Sequence, residues 1–395
     1  MIAIKIFSEC DGEDIQRPGR QTGDMEPALA HPACIINTVY TPCSVEFCPV
    51  RPNLVTCGLY QTQQVQQDAG DESQDPPIER LGRCLLFDVT TDRQGSDRSS
   101  DPLVDAPIVC QELQQIDCAA ILDQRWTQSL APVLIVADAD GDLRSYQLRQ
   151  EDERTQLHFF DTVSCASNGA LCLALDISDR LHSTQSPKVV TTLSNGEIVL
   201  LDQTSSSKKL VENIRWHGHT FEPWTCGFDY WQPTTVLTGG DDCTLKVWDV
   251  RSLPGQPVLI NKKFGGGVTA VRSHHLKEHV FAVGSYDSAL RVYDKRNFSQ
   301  PVWTQTVGGG IWRLKWHSDQ PDRLLIAAMH DGFKVVEVFN ESSDTPPRIH
   351  TTFNERASLA YGADWGPALT QEDLKQTLVA SCSFYDKALH FWYVS

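Results

Sequence analysis

The sequence predicts an all-β protein that folds as a seven-bladed β-propeller, and three observations support this class. A short unit of two strands joined by an acidic turn recurs along the chain. Within the unit, apolar and polar residues alternate, as in Leu245-Lys246-Val247-Trp248, which is typical of a half-buried strand. The unit also returns near the ~45-residue period of propeller blades, with longer intervals where loops are inserted.

The clearest copy of the unit is TGGDDCTLKVWDVR at residues 238–251. It returns as VGSYDSALRVYDKR at residues 283–296 and as SCSFYDKALHFWYV at residues 381–394, and AAMHDGFKVVEV at residues 327–338 is a weaker copy. These strings are typical of WD40 repeats. The closing position of the unit is predicted at Phe87, Tyr146, Leu201, Trp248, Tyr293, Val336 and Trp392. Seven copies indicate a closed WD40 ring.

An apolar segment precedes each unit and is predicted to be the inner strand of its blade. These segments are residues 45–47, 121–126, 171–177, 225–228, 268–272, 311–316 and 361–365. The chain ends on a closing strand at residues 389–394, so the last blade needs an outer strand from elsewhere. We expect residues 35–41, which are rich in β-formers, to complete the C-terminal blade and to leave no exposed edge at the seam.

Three stretches are predicted to lie outside the blades. Residues 1–33 carry scattered charge, Gly and Pro, and we expect a disordered tail before a propeller at residues 34–395. Loop insertions are expected near residues 61–79, which are rich in Gln, Asp and Pro, and near residues 90–107.

Composition limits the classes of partner. The chain has 34 Lys and Arg against 51 Asp and Glu, a formal net charge of −17. This argues against a nucleic-acid partner, which needs a basic face, and suits a basic protein or a cationic ligand. The 13 Cys form no CxxC pair, and neither a signal peptide nor a membrane-length apolar run is present. We expect a soluble, cytoplasmic monomer with no membrane partner.

Known catalytic and cofactor motifs are absent from the sequence. The string nearest to a GxSxG nucleophile elbow, at residues 192–196, lacks the first Gly, and no HExxH or P-loop occurs. The two Gly triplets, at residues 265–267 and 308–310, precede inner strands rather than helices. We therefore expect no cofactor and no bound metal.

The acidic residues of the turns are interpreted first as structural. Asp242, Asp287 and Asp386 each precede by three residues the Leu that opens the next strand, and His219 is the natural partner of Asp242. At the same offset blade six has His330 instead of an acid. His330 is either a structural histidine or a general base.

The residue before the turn acid is expected on one rim of the ring, together with the starts of the inner strands. Aromatic side chains recur at these positions and are accompanied by one carboxylate. The set is Trp224, Asp241, Tyr286, Trp312, Tyr361 and Tyr385. An aromatic ring with a carboxylate suits a quaternary ammonium group through cation–π contact, and the alternatives are rim packing or a protein-binding surface.

Further polar residues stand beside these aromatics. Glu222 and Asp364 are carboxylates that can accept a proton from water, and Arg313 can stabilise an oxyanion. Alternation along the strand places Trp312 and Arg313 on opposite sides. Each of the three polar residues is otherwise a salt-bridge residue.

A specific set of motifs occurs in one order in the C-terminal half: GGGIWRLKWH at residues 308–317, MHDGFK at 329–334, YGADW at 361–365 and CSFYD at 382–386. In this order the set resembles the WD40-repeat diphthine methylesterases, also named as a diphthine methyltransferase family. The close match covers residues 216–395, and residues 35–215 fit it loosely.

The resemblance implies a hydrolase in diphthamide biosynthesis. Its substrate is a modified histidine of translation elongation factor 2, which carries a trimethylammonium group and a methyl ester. The ester methyl leaves as methanol. Under this implication the aromatics would hold the ammonium, and water would be activated by His330, Asp241, Glu222 or Asp364. The alternative, favoured by fold alone, is a non-catalytic WD40 scaffold that recruits other proteins.

Overall fold

The computed structural model describes residues 26–64, 78–91, 108–166, 168–181, 186–252, 255–339, 347–355, 358–371 and 374–395. Within these ranges the chain forms β-strands joined by turns and loops. No helix in the described ranges is long and apolar enough to cross a membrane.

The strands form seven sheets, and each sheet is one blade of the predicted propeller. Two short strands come first, β1 (Ala28–Leu29) and β2 (Pro32–Asn37). Blade 1 contains β3 (Thr41–Cys48), β4 (Arg51–Gln64), β5 (Ile78–Thr91) and β6 (Ile108–Ala119). Blade 2 contains β7 (Ile121–Trp126), β8 (Val133–Asp138), β9 (Asp142–Glu151) and β10 (Arg154–Ser164). Blade 3 contains β11 (Cys172–Ile177), β12 (Lys188–Leu193), β13 (Glu197–Gln203) and β14 (Leu210–His217).

The remaining four blades follow the same order from the inner to the outer strand. Blade 4 contains β15 (Thr225–Phe228), β16 (Thr235–Gly239), β17 (Leu245–Asp249) and β18 (Leu259–Asn261). Blade 5 contains β19 (Val268–Ser273), β20 (Val280–Ser285), β21 (Ala289–Asp294) and β22 (Trp303–Thr306). Blade 6 contains β23 (Arg313–Trp316), β24 (Arg323–Ala327), β25 (Phe333–Glu337) and β26 (Arg348–Phe353). Blade 7 contains β27 (Ala360–Gln371), β28 (Leu374–Ser383) and β29 (Ala388–Val394).

The predicted inner strands and closing positions are confirmed. All seven apolar segments lie at the inner strand of their blade or lead into it, and every position equivalent to Trp248 lies in a third strand. Neighbouring strands within a blade are antiparallel, and Trp248 stands opposite Val236. The apolar cores lie between blades: Val247 of blade 4 packs in one cluster with Val271 and Phe281 of blade 5.

The ring closes where the sequence predicts, but with shifted bounds. Strand β2 pairs with β29 as the outer strand of blade 7, and Ile36 stands opposite Leu389. The strand spans residues 32–37 rather than 35–41, because Thr41 already opens the inner strand of blade 1. Strand β27 packs against β3, so the last blade meets the first.

The predicted tail and insertions need correction at their ends. Residues 28–33, expected in a disordered tail, include β1 and the start of β2, and β1 pairs in parallel with β26 as a fifth strand of blade 6. The expected insertion at residues 61–79 starts and ends inside a long hairpin, in which Gln64 pairs with Ile78. Residues 1–25, 65–77 and 92–107 lie outside the described residues.

Candidate functional site

One face of the ring carries most of the predicted site residues. Because neighbouring strands are antiparallel, the turn after each second strand and the loop into the next inner strand lie at the same end of the blades. We call this end the upper face. In blade 4 the turn and the loop touch directly, since the Asp241 N–H donates to the Glu222 carbonyl at 2.9 Å.

A cluster of apolar and aromatic side chains lies at the upper face, where the inner strands begin, and we call it the mouth cluster. Its buried members are Ala120, Ala139, Leu171, Leu173, Trp224, Trp312, Met329 and Leu359. Its partly buried members are Tyr60, Leu122, Tyr286, Tyr361 and Phe384. Every blade contributes to the cluster. These side chains are distant in sequence, so only the closed ring brings them together.

Trp312 is the centre of the aromatic part of the mouth cluster. Its ring centroid lies 4.8 Å from that of Tyr361, 5.9 Å from Trp224 and 6.4 Å from Tyr286. Trp224 and Trp312 are each 8% exposed, and both tyrosines are partly buried. Burial raises the pKa of Tyr361 well above its ordinary value, so its hydroxyl stays neutral. Four of the five predicted binding aromatics therefore meet at one place.

The predicted carboxylates of blade 4 stand at the edge of this cluster. Asp241 is exposed and Glu222 is half-buried. A Cβ added to Gly267 would lie 2.5 Å from Oδ1 of Asp241 and 3.1 Å from Cδ2 of Tyr286. The carboxylate and the tyrosine ring thus flank the same glycine, which leaves both of them room. This arrangement presents an anion and an aromatic face side by side, as a cationic ligand requires.

The turn acids stabilise the upper face through hydrogen bonds and ion pairs with different partners. Asp242 lies 3.0 Å from Nδ1 of His219, and Nε2 of His219 lies 2.8 Å from the Thr238 hydroxyl. The Thr238 hydroxyl also accepts a hydrogen bond from the Nε1–H of Trp248, at 2.8 Å. Burial lowers the pKa of His219, and the bond to Asp242 offsets this only in part. The four side chains form one buried chain of hydrogen bonds.

The other two predicted turn acids bind the loop that leads into their own blade. Asp287 accepts from the Gly265 N–H at 2.9 Å and forms an ion pair with Arg291 at 2.6 Å. Asp386 accepts from the Ser358 hydroxyl at 2.8 Å. Their carboxylates therefore stabilise the turns of their blades.

The turn of blade 6 corrects the alignment of His330. A Cβ at Gly308 would collide with the Asp331 carboxylate, just as one at Gly265 would touch Asp287. Asp331 is therefore the turn acid of blade 6, and His330 does not replace it. The turn has five residues, 328–332, against three, 286–288, in blade 5, and Met329 packs in the mouth cluster. His330 lies between Met329 and Asp331 in this longer turn; it is exposed and makes no hydrogen bond or ion pair with other described residues.

The turn of blade 7 has four residues, 384–387, one more than that of blade 5, and it corrects the role expected of Tyr385. Phe384 occupies the mouth cluster, with its ring 5.6 Å from that of Tyr361. Tyr385 is 57% exposed and meets Phe384 edge-on at 5.3 Å. Tyr385 therefore lies outside the cluster in which the sequence placed it, because the additional residue shifts the register of the turn by one.

Asp364 and Arg313 are corrected more strongly, because both lie in the ionic lining of the channel. Oδ2 of Asp364 accepts from the Phe47 N–H at 2.8 Å, and its Oδ1 pairs with Lys315 at 3.3 Å. Arg313 pairs with Asp123 at 3.1 Å and is 11% exposed. Both side chains are held by partners within the chain, which argues against the proton acceptor and the oxyanion-stabilising cation expected of them.

Met329 and Phe384 are the mouth residues that the sequence analysis missed. The available signal was turn length: FYD in blade 7 and MHD in blade 6 stand where blade 5 has YD. Aligning the units on the end of the second strand finds Phe384, which follows Ser383 as Tyr286 follows Ser285, whereas aligning them on the acid returns His330 and Tyr385.

The described residues contain neither a candidate metal site nor a disulfide bond. No grouping of three or more His, Cys, Asp or Glu side chains there could hold a metal ion. The cysteines of the described ranges carry free thiols. Several of them are fully buried, and burial raises the pKa of the Cys226 thiol well above its usual value.

Comparison with known proteins gives the family. Residues 210–249 match the model described as WD domain, G-beta repeat. A diphthine methyltransferase homolog of Dictyostelium discoideum is 32% identical over 89% of this chain and 96% of its own. The diphthine methyltransferase of Homo sapiens is 34% identical over 84% of this chain and 73% of its own. The chain belongs to the diphthine methyltransferase family.

Other comparisons agree with this family and its fold. The diphthine methyltransferase of Schizosaccharomyces pombe is 30% identical over 79% of this chain and 86% of its own. A chain in a crystal structure of the mitotic checkpoint complex superposes with a TM-score of 0.62, covering 97% of this chain and 98% of that one. Their sequences are 13% identical, so this likeness concerns the propeller fold alone.

Proposed function

We propose that this member of the diphthine methyltransferase family acts in diphthamide biosynthesis as a methyl ester hydrolase. Its substrate is the modified histidine of translation elongation factor 2 that carries a trimethylammonium group and a methyl ester. The product is the free carboxylate, and the methyl group leaves as methanol. Because the substrate is a translation factor, the proposal places the reaction in the cytoplasm.

One observation carries the proposal: aromatic rings from four blades meet beside an exposed carboxylate at the mouth of the channel. Trp224, Tyr286, Trp312 and Tyr361 supply the rings, and Asp241 supplies the charge. A trimethylammonium group cannot donate a hydrogen bond, so aromatic faces and a carboxylate are what recognise it. Such a contact contributes about 0.5–2 kcal/mol for each cation, depending on how far it is desolvated.

The hydrolysis needs a water molecule and a base. The water oxygen bonds to the ester carbonyl carbon, the base takes a water proton, and the bond to the methoxy oxygen then breaks as that oxygen is protonated. His330 and Asp241 are both exposed on the upper face, and Glu222 lies beside Asp241. We propose that the base is one of these three. The bonds of Asp364 to Phe47 and Lys315 favour these three residues over Asp364.

The test measures methanol release and loss of the ester methyl from elongation factor 2 by mass spectrometry. Trp312→Ala should lower kcat/KM at least about tenfold, because it removes the central ring of the aromatic part of the mouth cluster. Trp231→Ala is the control, since Trp231 is 37% exposed and follows the inner strand of blade 4 at the opposite end of the ring. A wild-type protein that leaves the ester intact would overturn the proposal.

The base is identified by comparing His330→Ala, Asp241→Asn and Glu222→Gln. Each change affects a side chain that is at least partly exposed, so all three variants should fold with unchanged unfolding temperatures. We expect one of them to lose about 100-fold or more in kcat, the usual loss on removal of a general base. Wild-type turnover in His330→Ala removes His330 from the mechanism.

A second candidate function, a non-catalytic scaffold, has one observation in its favour. A cavity of about 260 Å³ lies between blades 4 and 5 away from the mouth, and Leu237, Val247, Val258 and Phe281 are among its lining residues. Val258 is 67% exposed. A scaffold would form a stoichiometric complex with elongation factor 2 and leave its mass unchanged, so the same experiment separates the two functions.

A further inference from the structure

Two exposed aromatic side chains stand on the upper face at opposite sides of the mouth cluster. Phe221 is 61% exposed in the loop that leads into blade 4, and Tyr385 is 57% exposed in the turn of blade 7. Blades 4 and 7 are three places apart in a ring of seven, so the two residues flank the mouth. Both are joined to the site: Phe221 precedes Glu222, and Tyr385 contacts Phe384.

We propose that Phe221 and Tyr385 anchor the body of the protein substrate, while the mouth cluster holds only the modified side chain. This inference rests on the proposed function. The occupant is a basic surface segment of elongation factor 2 on either side of the modified histidine. Exposed aromatic side chains are enriched in protein–protein interfaces, where a few such residues contribute much of the binding energy.

The construction of the blade 7 turn supports an outward role for Tyr385. In blade 5 the turn has no additional residue, and its aromatic, Tyr286, joins the mouth cluster directly. In blade 7 Phe384 takes this place, and the additional residue adds a large ring that faces solvent. Blade 5 closes its turn without a residue at this position.

Charge complementarity defines the partner segment as basic. Asp241 and Glu222 lie on the blade 4 side of the mouth, next to Phe221, and the chain carries a formal net charge of −17. A segment with Lys or Arg beside the modified histidine would place cations against these carboxylates. Such steering accelerates association at low ionic strength and weakens as salt is added.

The experiment measures two things with purified elongation factor 2 that carries the diphthine methyl ester: the Kd for the wild-type and variant proteins, and the kinetics of ester loss. Phe221→Ala and Tyr385→Ala should each raise Kd and KM about tenfold and change kcat less than twofold. The kcat/KM for a short peptide that carries the same modified histidine should fall far less than that for the whole factor.

Phe159→Ala is the matched control. Phe159 is an aromatic with nearly the same exposure, 56%, but it lies in the outer strand of blade 2. This variant should bind and turn over elongation factor 2 as the wild type does. Equal Kd values for Phe221→Ala, Tyr385→Ala and Phe159→Ala would overturn the docking inference.

The two proposals fail in different ways. If the wild type binds elongation factor 2 but leaves its ester intact, the hydrolase proposal fails, and docking is still decided by the Kd values of the variants. If the short peptide is hydrolysed as efficiently as the whole factor, the hydrolase proposal stands and the docking inference fails.

Discussion

At the scale of the residue, burial and hydrogen bonding distinguish histidines whose roles the sequence alone does not separate. His219 is fully enclosed and bonded through both ring nitrogens, to Asp242 and to Thr238. His330 is exposed, with neither nitrogen bonded to another described residue. A histidine of the first kind stabilises the fold, whereas one of the second kind is available to substrate and water.

Two further buried histidines predict how stability depends on pH. Burial lowers the pKa of His274 and of His317 to about 4. In each, Nδ1 accepts backbone N–H groups, and a proton there would break these bonds. The unfolded chain takes up these protons more readily, so their contribution is complete above pH ~6.5 and is lost as pH falls toward 4. Asp179, whose pKa burial raises to about 6, acts in the opposite direction, whereas His219, His275 and His350, whose pKa values burial also lowers, act in the same direction as the two histidines.

We therefore expect the unfolding temperature to fall by about 5 °C or more between pH 7.5 and pH 4.5, measured by differential scanning calorimetry. His317→Asn should have a shallower pH dependence, because Asn does not titrate in this range. The control is His31→Asn, since the side chain of His31 is 72% exposed. A His317→Asn curve parallel to that of the wild type would contradict this cause.

At the scale of the element, the turn between the second and third strands decides what each blade offers at the mouth. Several of these turns place a residue in the left-handed region, with φ of 55° at Cys243, 63° at Ser288 and 53° at Lys387. Blades 2 and 6 use Gly141 and Gly332 there. The same left-handed backbone conformation therefore occurs both at glycine, which adopts it most easily, and at residues with a side chain.

Ser288→Gly should stabilise the protein by up to about 1 kcal/mol, because glycine adopts a positive φ without the Cβ strain that serine has there. The converse change, Gly141→Ala, should destabilise it, since the new Cβ would lie 2.5 Å from the Ala170 carbonyl oxygen. Chemical denaturation measures both free energies of unfolding. A Ser288→Gly variant less stable than the wild type would show that the serine side chain outweighs its backbone strain.

At the scale of the whole molecule, ring closure holds the site together. The seam between blades 7 and 1 is joined by β2 on β29, by β27 on β3 and by the bond from the Phe47 N–H to Asp364. Equivalent bonds join other inner strands, from the Leu175 N–H to Asp123 and from the Phe228 N–H to Asp176. Asp364 is therefore one of several inner-strand carboxylates that bond to a neighbouring blade.

Ile36→Asp should open this seam. Ile36 is partly buried and packs against the core of blades 1 and 7, so Asp there would place a carboxylate against apolar side chains, at a cost of about 2 kcal/mol. The control is Val39→Asp, which places the same charge three residues later at a side chain 65% exposed. Thermal unfolding and size-exclusion chromatography compare the two. Equal unfolding temperatures would mean that closure does not depend on β2.

Much of the fold was readable from the sequence because each blade is a local unit. Alternation marks the strand in Leu245-Lys246-Val247-Trp248, and the acids mark the turns, so the inner strands were predicted in all seven blades. The N-terminal strand was predicted because the last blade has no strand after β29 to serve as its outer strand. Its exact bounds and the added strand β1 were not, because pairing at an outer edge depends on the available partner and not on a local pattern.

The sequence by itself determined the number of blades, the closure of the ring and the aromatic and acidic character of one rim. Only the tertiary structure decided which of those residues meet. It brought Trp224, Tyr286, Trp312 and Tyr361 together, and it turned Asp364 and Arg313 into the channel lining. It also replaced Tyr385 by Phe384 at the mouth. The physical reason is that strand and turn patterns repeat over a few residues, whereas the direction of a side chain at the mouth depends on turn length and on neighbouring blades.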